Sequence, residues 1–201
     1  MNSLDQLKQH TVIVADTGDI DSIARNKPQD ATTNPSLIAK AAQMPQYADL
    51  IQEAIKSGRQ DVAKLSAGTD QKLVNAVLDR LSVNFGVRIL QIVPGRVSVE
   101  VDARLSFDEA ATVEKGKHLI RLFAEHGISS DRILIKIAST WEGIRAAERL
   151  ERDLQLLQAA WLQDAGHGCQ FPFRRSGQSV VRVRSADGIS VVAHGTFCIR
   201  R

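Results

Sequence analysis

Cysteine is scarce in this sequence: Cys169 and Cys198 are the only two in 201 residues. That is too few for a secreted domain stapled by disulfides, and the expectation is two free thiols. No run approaches the roughly 18 uninterrupted apolar residues of a membrane span. The opening Met1-Asn-Ser-Leu-Asp-Gln-Leu-Lys8 has no apolar signal-peptide core. A cytoplasmic protein, not bound to membrane, is therefore expected. Aromatic residues make up only 4% of the chain, and residues 153–201 contain neither Lys nor Glu. Those last residues hold six Arg and three acidic side chains, whereas residues 1–152 hold twenty basic and twenty acidic ones, so the whole net charge of +3 belongs to the tail. Its arginines (174, 175, 182, 184, 200 and 201) have few aromatic companions and no recognition motif, so nucleic acid is not an expected partner. With 43% apolar and 24% charged residues, the chain as a whole has the profile of a globular domain.

What is present is an alternation of strand and helix patterns. Val12-Ile-Val-Ala-Asp16 is a β-branched run that stops before Gly18 and reads as a buried strand. Ala31-Thr-Thr-Asn-Pro-Ser36 follows, then helical spacing over 37–57 with a break at Pro45. A second helical stretch runs from about Asp70 to Val93, with Leu73, Val77, Leu78, Leu81, Phe85, Ile89 and Leu90 on one broad stripe. Arg96 to Asp102 alternates as a strand, and Ser106-Phe-Asp-Glu109 reads as the cap of a helix reaching His126. Arg132 to Ser139 is another strand, with a helix from about Glu142 to Arg152. Such alternation predicts βαβ units and a parallel sheet. Beyond Arg152 the rhythm stops; Ser179-Val-Val-Arg-Val-Arg184 and Ile189-Ser-Val-Val-Ala-His194 have the look of a hairpin.

Lys136 is the one charge in the apolar strand Ile133-Leu-Ile-Lys-Ile-Ala138. A parallel strand is normally covered on both faces. Apolar surroundings disfavour an ammonium, and the free amine is the form that attacks a carbonyl. A lysine whose head snorkels to water is the alternative. In strand 96–102 the valines 97, 99 and 101 share one face, and Ser98, Glu100 and Asp102 share the other, which points to a polar pocket on the inner side. Asp16 comes up at the end of its strand, and Thr32 and Asn34 do so one strand later. Strand C-terminal ends are where barrel active sites are built, although Asp16 could instead cap the turn at Thr17-Gly18-Asp19.

Four segments carry a resemblance: Ala15-Asp-Thr-Gly-Asp19, Asp30-Ala-Thr-Thr-Asn-Pro-Ser-Leu-Ile38, Ser98-Val-Glu-Val-Asp-Ala-Arg-Leu-Ser106 and Ile133 to Ala147. Together they resemble transaldolase of the pentose phosphate pathway, in its longer bacterial and eukaryotic form, from about Asp5 to Arg152. The resemblance implies a (β/α)8 barrel, of which residues 1–152 supply the first four βα units. Position by position, Lys136 matches the lysine that forms a Schiff base with the ketose donor. Glu100, acting through a water, and Asp16 match the acid/base carboxylates; Asn34 matches the amide that holds the dihydroxyacetone unit, with Thr32 beside it. The implied reaction transfers dihydroxyacetone from sedoheptulose 7-phosphate to glyceraldehyde 3-phosphate. It gives erythrose 4-phosphate and fructose 6-phosphate, needs no metal or other cofactor, and implies sugar-phosphate partners and, if the chain folds, a homodimer. A lysine-dependent aldolase is the neighbouring alternative.

The resemblance stops near Arg152. The expected strand with an Asn and a Thr that position water does not follow, nor does a phosphate-binding Ser-Pro-Phe segment with its arginines; Phe171-Pro-Phe-Arg-Arg175 comes too early to fill that place. The chain is also shorter than the roughly 250 residues of a complete barrel. Residues 153–201 read as a non-matching tail, disordered or produced by a reading-frame change near codon 152. An inactive or nearly inactive chain is expected, with open edges on its first and fourth strands. The set His167, Cys169, His194 and Cys198 lacks the spacing of a zinc site, so no metal is expected.

Overall fold

The computed structural model describes residues 3–64 and 69–154, together with four further strands between 160 and 195. After helix α1 (Ser3–Lys8) the chain alternates: β1 (Val12–Asp16), α2 (Ile20–Asn26), β2 (Asp30–Thr32), α3 (Pro35–Ala41), α4 (Ala48–Ala63), α5 (Asp70–Leu90), β3 (Val97–Glu100), α6 (Glu109–Glu125), β4 (Ile133–Ala138) and α7 (Trp141–Leu154). The strands β1 to β4 lie side by side in sequence order and all parallel. The sheet thus has the βα architecture that the alternation predicts.

Alternating side chains give this sheet two unlike faces. Toward the helices point Val97, Val99, Ile133, Ile135 and Ile137, buried against Phe85, Ile89, Leu119, Phe123 and Leu150 of α5, α6 and α7. The predicted stripe on α5 is buried only from Leu81 onward; Leu78 is half exposed, because the first turns of the helix run out past the buried layer. The helix starts are set by side-chain caps. Thr69 accepts from the backbone N–H of Lys72, and Asp108 accepts from that of Ala111. Ser106 is therefore not the cap of α6: its hydroxyl donates to the Ala103 carbonyl, and the nearer carboxylate takes the helix end.

The close approach of α5 to α6 depends on Gly86. A Cβ there would lie 2.6 Å from Cζ of Phe123, a side chain with no exposed surface. Gly86→Ala gains about 1 kcal/mol of helix propensity but overpacks that contact, at a cost of about 1–3 kcal/mol. A net loss of unfolding free energy is expected in urea titrations, partly recovered by adding Phe123→Leu.

The tail extends this sheet. The strands β5 (Ala160–Gln163), β6 (Gln170–Pro172), β7 (Ser179–Arg184) and β8 (Ser190–Gly195) give the order β6-β5-β4-β3-β2-β1-β8-β7. The hairpin expected of 179–194 is formed, as β7 antiparallel to β8. The open edges expected of β1 and β4 are not: β8 pairs antiparallel along β1, and β5 pairs parallel along β4. An edge strand offers backbone N–H and C=O groups to any extended segment, whatever its side-chain pattern. His167, Cys169, Cys198 and four of the tail arginines (174, 175, 200 and 201) lie outside the described residues.

Candidate active site

Lys136 is 1% exposed, so the buried reading holds and the snorkelling one does not. Its strand partner in the parallel ladder is Glu100, and one row earlier Asp16, Thr32 and Ser98 are paired across three strands. In-register partners share a face, so these polar residues collect on the inner side, opposite the helix layer. The Nζ of Lys136 donates to the backbone carbonyl of Thr33 at 3.1 Å and lies 3.4 Å from Oε2 of Glu100. That carboxylate oxygen is buried and makes no aligned hydrogen bond. Amine and carboxylate thus lie in contact on the inner face of the sheet.

Asp16 is 5% exposed at the end of β1. Helix α2 is capped by Asp19, which accepts from the backbone N–H of Ser22 and from the Ser22 hydroxyl at 2.6 Å. Burial pushes the Asp19 carboxyl up, but the bonds from Ser22 and Tyr47 outweigh it and hold the group below the usual carboxylate range. Asn34 stands just beyond β2 as the N-cap of α3, its Oδ1 accepting from the Leu37 N–H at 2.9 Å and from the Ser36 hydroxyl at 2.7 Å. The cap fixes the plane of the amide, and its Nδ2 is the half left over to donate. Thr32 is 3% exposed, and its hydroxyl has no hydrogen-bond partner among the described residues.

Asp102 departs from the expected inner row. The chain turns after Glu100, and Asp102 instead caps the turn at 103–105 and accepts from Arg104, whose guanidinium holds the carboxyl low.

Three positioning residues escape a reading of the sequence. Thr33, fully buried, offers its carbonyl to Lys136 and its hydroxyl to the Ser98 carbonyl at 2.9 Å; its place inside the Thr-Thr-Asn-Pro segment was the available signal. Tyr47 lies across the loop after β1, its hydroxyl accepting from the N–H of Ile20 at 2.9 Å and donating to Asp19, its ring edge-on to Phe85. Thr140 accepts from the Gly143 N–H at 3.0 Å and donates to the Ser106 carbonyl, tying the loop after β4 to the loop after β3. A Cβ on residue 143 would lie 2.0 Å from the Ala138 carbonyl, so glycine lets α7 begin this soon after the lysine strand.

Parallel strands with helices on one face, and an amine and carboxylates gathered at the strand ends on the other, define a half of a (β/α)-barrel type built around a buried lysine. Residues 13–153 match the model of the transaldolase/fructose-6-phosphate aldolase family, and the chain belongs to that family. It is 63% identical over 150 residues to transaldolase of Histophilus somni (strain 2336), covering 75% of this chain and 46% of that one. Against transaldolase A of Escherichia coli (strain K12) the identity is 57% over 153 residues, covering 76% and 47%. Transaldolase of Prochlorococcus marinus (strain MIT 9211) is 55% identical over 179 residues, 85% of this chain and 52% of that one, a match that takes in residues beyond 153. The chain thus spans about half the length of the curated relatives it matches. No described helix is long and apolar enough to cross a membrane.

Proposed function

We propose that the chain carries the Schiff-base half of a transaldolase site, with Lys136 as nucleophile, Glu100 and Asp16 as acid/base groups, and Asn34 and Thr32 as substrate-binding residues. The observation that carries this reading is the buried Lys136 amine 3.4 Å from Glu100. The Lys136 ammonium passes a proton to Glu100, by way of a water, and the free amine attacks C2 of the ketose. A proton moves from nitrogen to the new alkoxide, and Glu100 returns its proton to that hydroxyl, which leaves as water. An iminium remains, and the carboxylate is restored. Asp16 then takes the proton of the C4 hydroxyl while the C3–C4 pair flows into the iminium. Erythrose 4-phosphate leaves when sedoheptulose 7-phosphate is the donor. The enamine adds to glyceraldehyde 3-phosphate as Asp16 returns its proton to the new C4 hydroxyl, and hydrolysis of the imine frees fructose 6-phosphate.

Residues 1–152 are the part that performs imine chemistry in this reading, in a cytoplasmic protein that works as a homodimer. Residues 153–201 are a tail of other origin, from a change of reading frame. The half-length match favours a second reading, that of a fragment without turnover. Borohydride reduction in the presence of fructose 6-phosphate, with peptide mass spectrometry, separates the two. An adduct on Lys136 is the expected result, and no adduct under conditions that label a full-length relative overturns the proposal. Multiple turnover by the purified chain is expected to be absent or nearly so; where turnover is measurable, dependence on an acceptor aldose distinguishes transfer from aldol cleavage. Translating the gene past codon 152 in the other two frames tests the tail: the frame proposal falls if neither frame restores an Asn-x-Thr strand and a Ser-Pro-Phe segment.

A further inference from the structure

The apolar stripe of α5 begins before the core does. Leu73, Val74, Val77 and Leu78 follow one another at helical spacing on its first turns, and Val74 and Leu78 are each 50% exposed. With Ile55 and Arg59 of α4 they line an open cavity of about 310 Å³ in the helix layer. Gly58 sets the approach of the two helices, since a Cβ there would lie 2.7 Å from Cγ2 of Val77. The helices meet at that contact, and the cavity lies beside it. Contiguous exposed apolar side chains edged by a polar group mark binding surfaces, whereas scattered single ones do not. Arg59 gives this surface its sign. The other arginines of α4 and α5 are held by carboxylates, Arg80 by Asp61 and Arg88 by Asp49, each at 2.7 Å. Arg59 is exposed, and its guanidinium has no hydrogen bond or ion pair among the described residues.

We infer that the cavity between α4 and α5 is a second binding site, for an alkyl carboxylate of medium chain length. Its tail lies against the aliphatic wall and its carboxylate on Arg59. An unpaired guanidinium at the edge of an apolar wall complements a ligand with an apolar body and one anionic end, and the planar fork of N–H donors suits a carboxylate. The volume falls at the lower end of small-molecule sites, which span about 300–1,000 Å³. A sugar phosphate does not fit, because its hydroxyls would press against side chains that offer no partner. A second copy of the chain does not fit either: a stable interface takes about 20–30 residues from each side, and the apolar surface here is five side chains. The inference does not rest on the Schiff-base reading, since no residue of the cavity belongs to the inner face.

Isothermal titration calorimetry of hexanoate, octanoate and octan-1-ol into the full 201-residue chain at low salt tests the site. Octanoate is expected to bind about tenfold more tightly than hexanoate, because each buried methylene contributes about fourfold. Arg59→Gln is expected to weaken octanoate about tenfold and to leave octan-1-ol unchanged, since only the carboxylate loses a charge-assisted partner. Val74→Asp, at a half-exposed position, is expected to abolish binding of both. Leu78→Asn takes its place if circular dichroism shows that the aspartate variant does not fold. Absence of octanoate binding overturns the inference, as does octanoate binding that either Arg59→Gln or Val74→Asp leaves unchanged. Self-association that Val74→Asp removes, in a chain that does not bind octanoate, also overturns it and makes the cavity a contact between copies.

Discussion

Lys136→Met is expected to bring the borohydride-stable adduct down to background while leaving the fold intact. Met lacks the nucleophile yet fills a similar volume, so the inner face keeps its packing. The ammonium has 1% exposure and two polar neighbours, the Thr33 carbonyl and the Glu100 carboxylate. Removing one partner of a buried ion pair costs about 3–5 kcal/mol where the other is left desolvated, and relief of the ammonium's own desolvation offsets part of that. The carboxylate left behind is one-fifth exposed and can draw on solvent. Unfolding stability within about 2 kcal/mol of the unsubstituted chain is therefore expected. The paired measurement is peptide mass spectrometry beside urea denaturation. A Lys136→Met chain that still yields a reduced ketose adduct elsewhere in the protein would remove Lys136 from the mechanism.

The largest stability effect is expected from Arg80→Met. Arg80 of α5 is 8% exposed and grips both oxygens of Asp61 on α4, at 2.7 and 2.9 Å, and Glu125 of α6 at 2.5 Å. It is the clamp between three helices of the outer layer. Removing one partner of a buried pair leaves the other desolvated, at a cost of about 3–5 kcal/mol. Asp61 is one-quarter exposed and Glu125 about one-half, so the expectation is discounted to about 2–3 kcal/mol. The Arg80 hydrogen bonds hold the Asp61 carboxyl below the usual carboxylate range, against its burial. A carboxylate depressed in the folded state stabilises fully above its unfolded value near pH 4, and that contribution fades as pH falls through the folded value. The gap between Arg80→Met and the unsubstituted chain should thus be widest near neutral pH and narrow below about pH 4. A gap of constant size from pH 7 to pH 3 would assign the loss to packing of the arginine stem instead.

The parallel layer and the lysine were legible because they rest on local pattern. A period of two along 97–101 and 133–138 puts valines and isoleucines on one face and Ser98, Glu100 and Lys136 on the other, and the structure keeps that division. The same pattern carried one residue too far gave Asp102 an inward place, since alternation does not announce where a strand ends. Arg132 shows what has no local signature. From the turn before β4 it donates to the carbonyls of Leu90, Val93 and Gly95, closing the end of α5 and the loop into β3. Nothing around residue 132 marks it out from any other exposed arginine of a turn.

By itself the sequence determined the alternation of strands and helices, the two faces of the strands and the chemical identity of Lys136, Glu100 and Asp16. These depend on rotation per residue and on side-chain type, both of which are written in short windows. Only the tertiary structure decided that the Lys136 amine meets Glu100 and the Thr33 carbonyl, the latter 103 residues away, and that the Thr32 hydroxyl is buried without a hydrogen-bond partner among the described residues. It also decided that the edges of β1 and β4 are paired. Those outcomes depend on register between strands and on the packing of helices across them, which the summed burial of the whole layer sets and no single window contains.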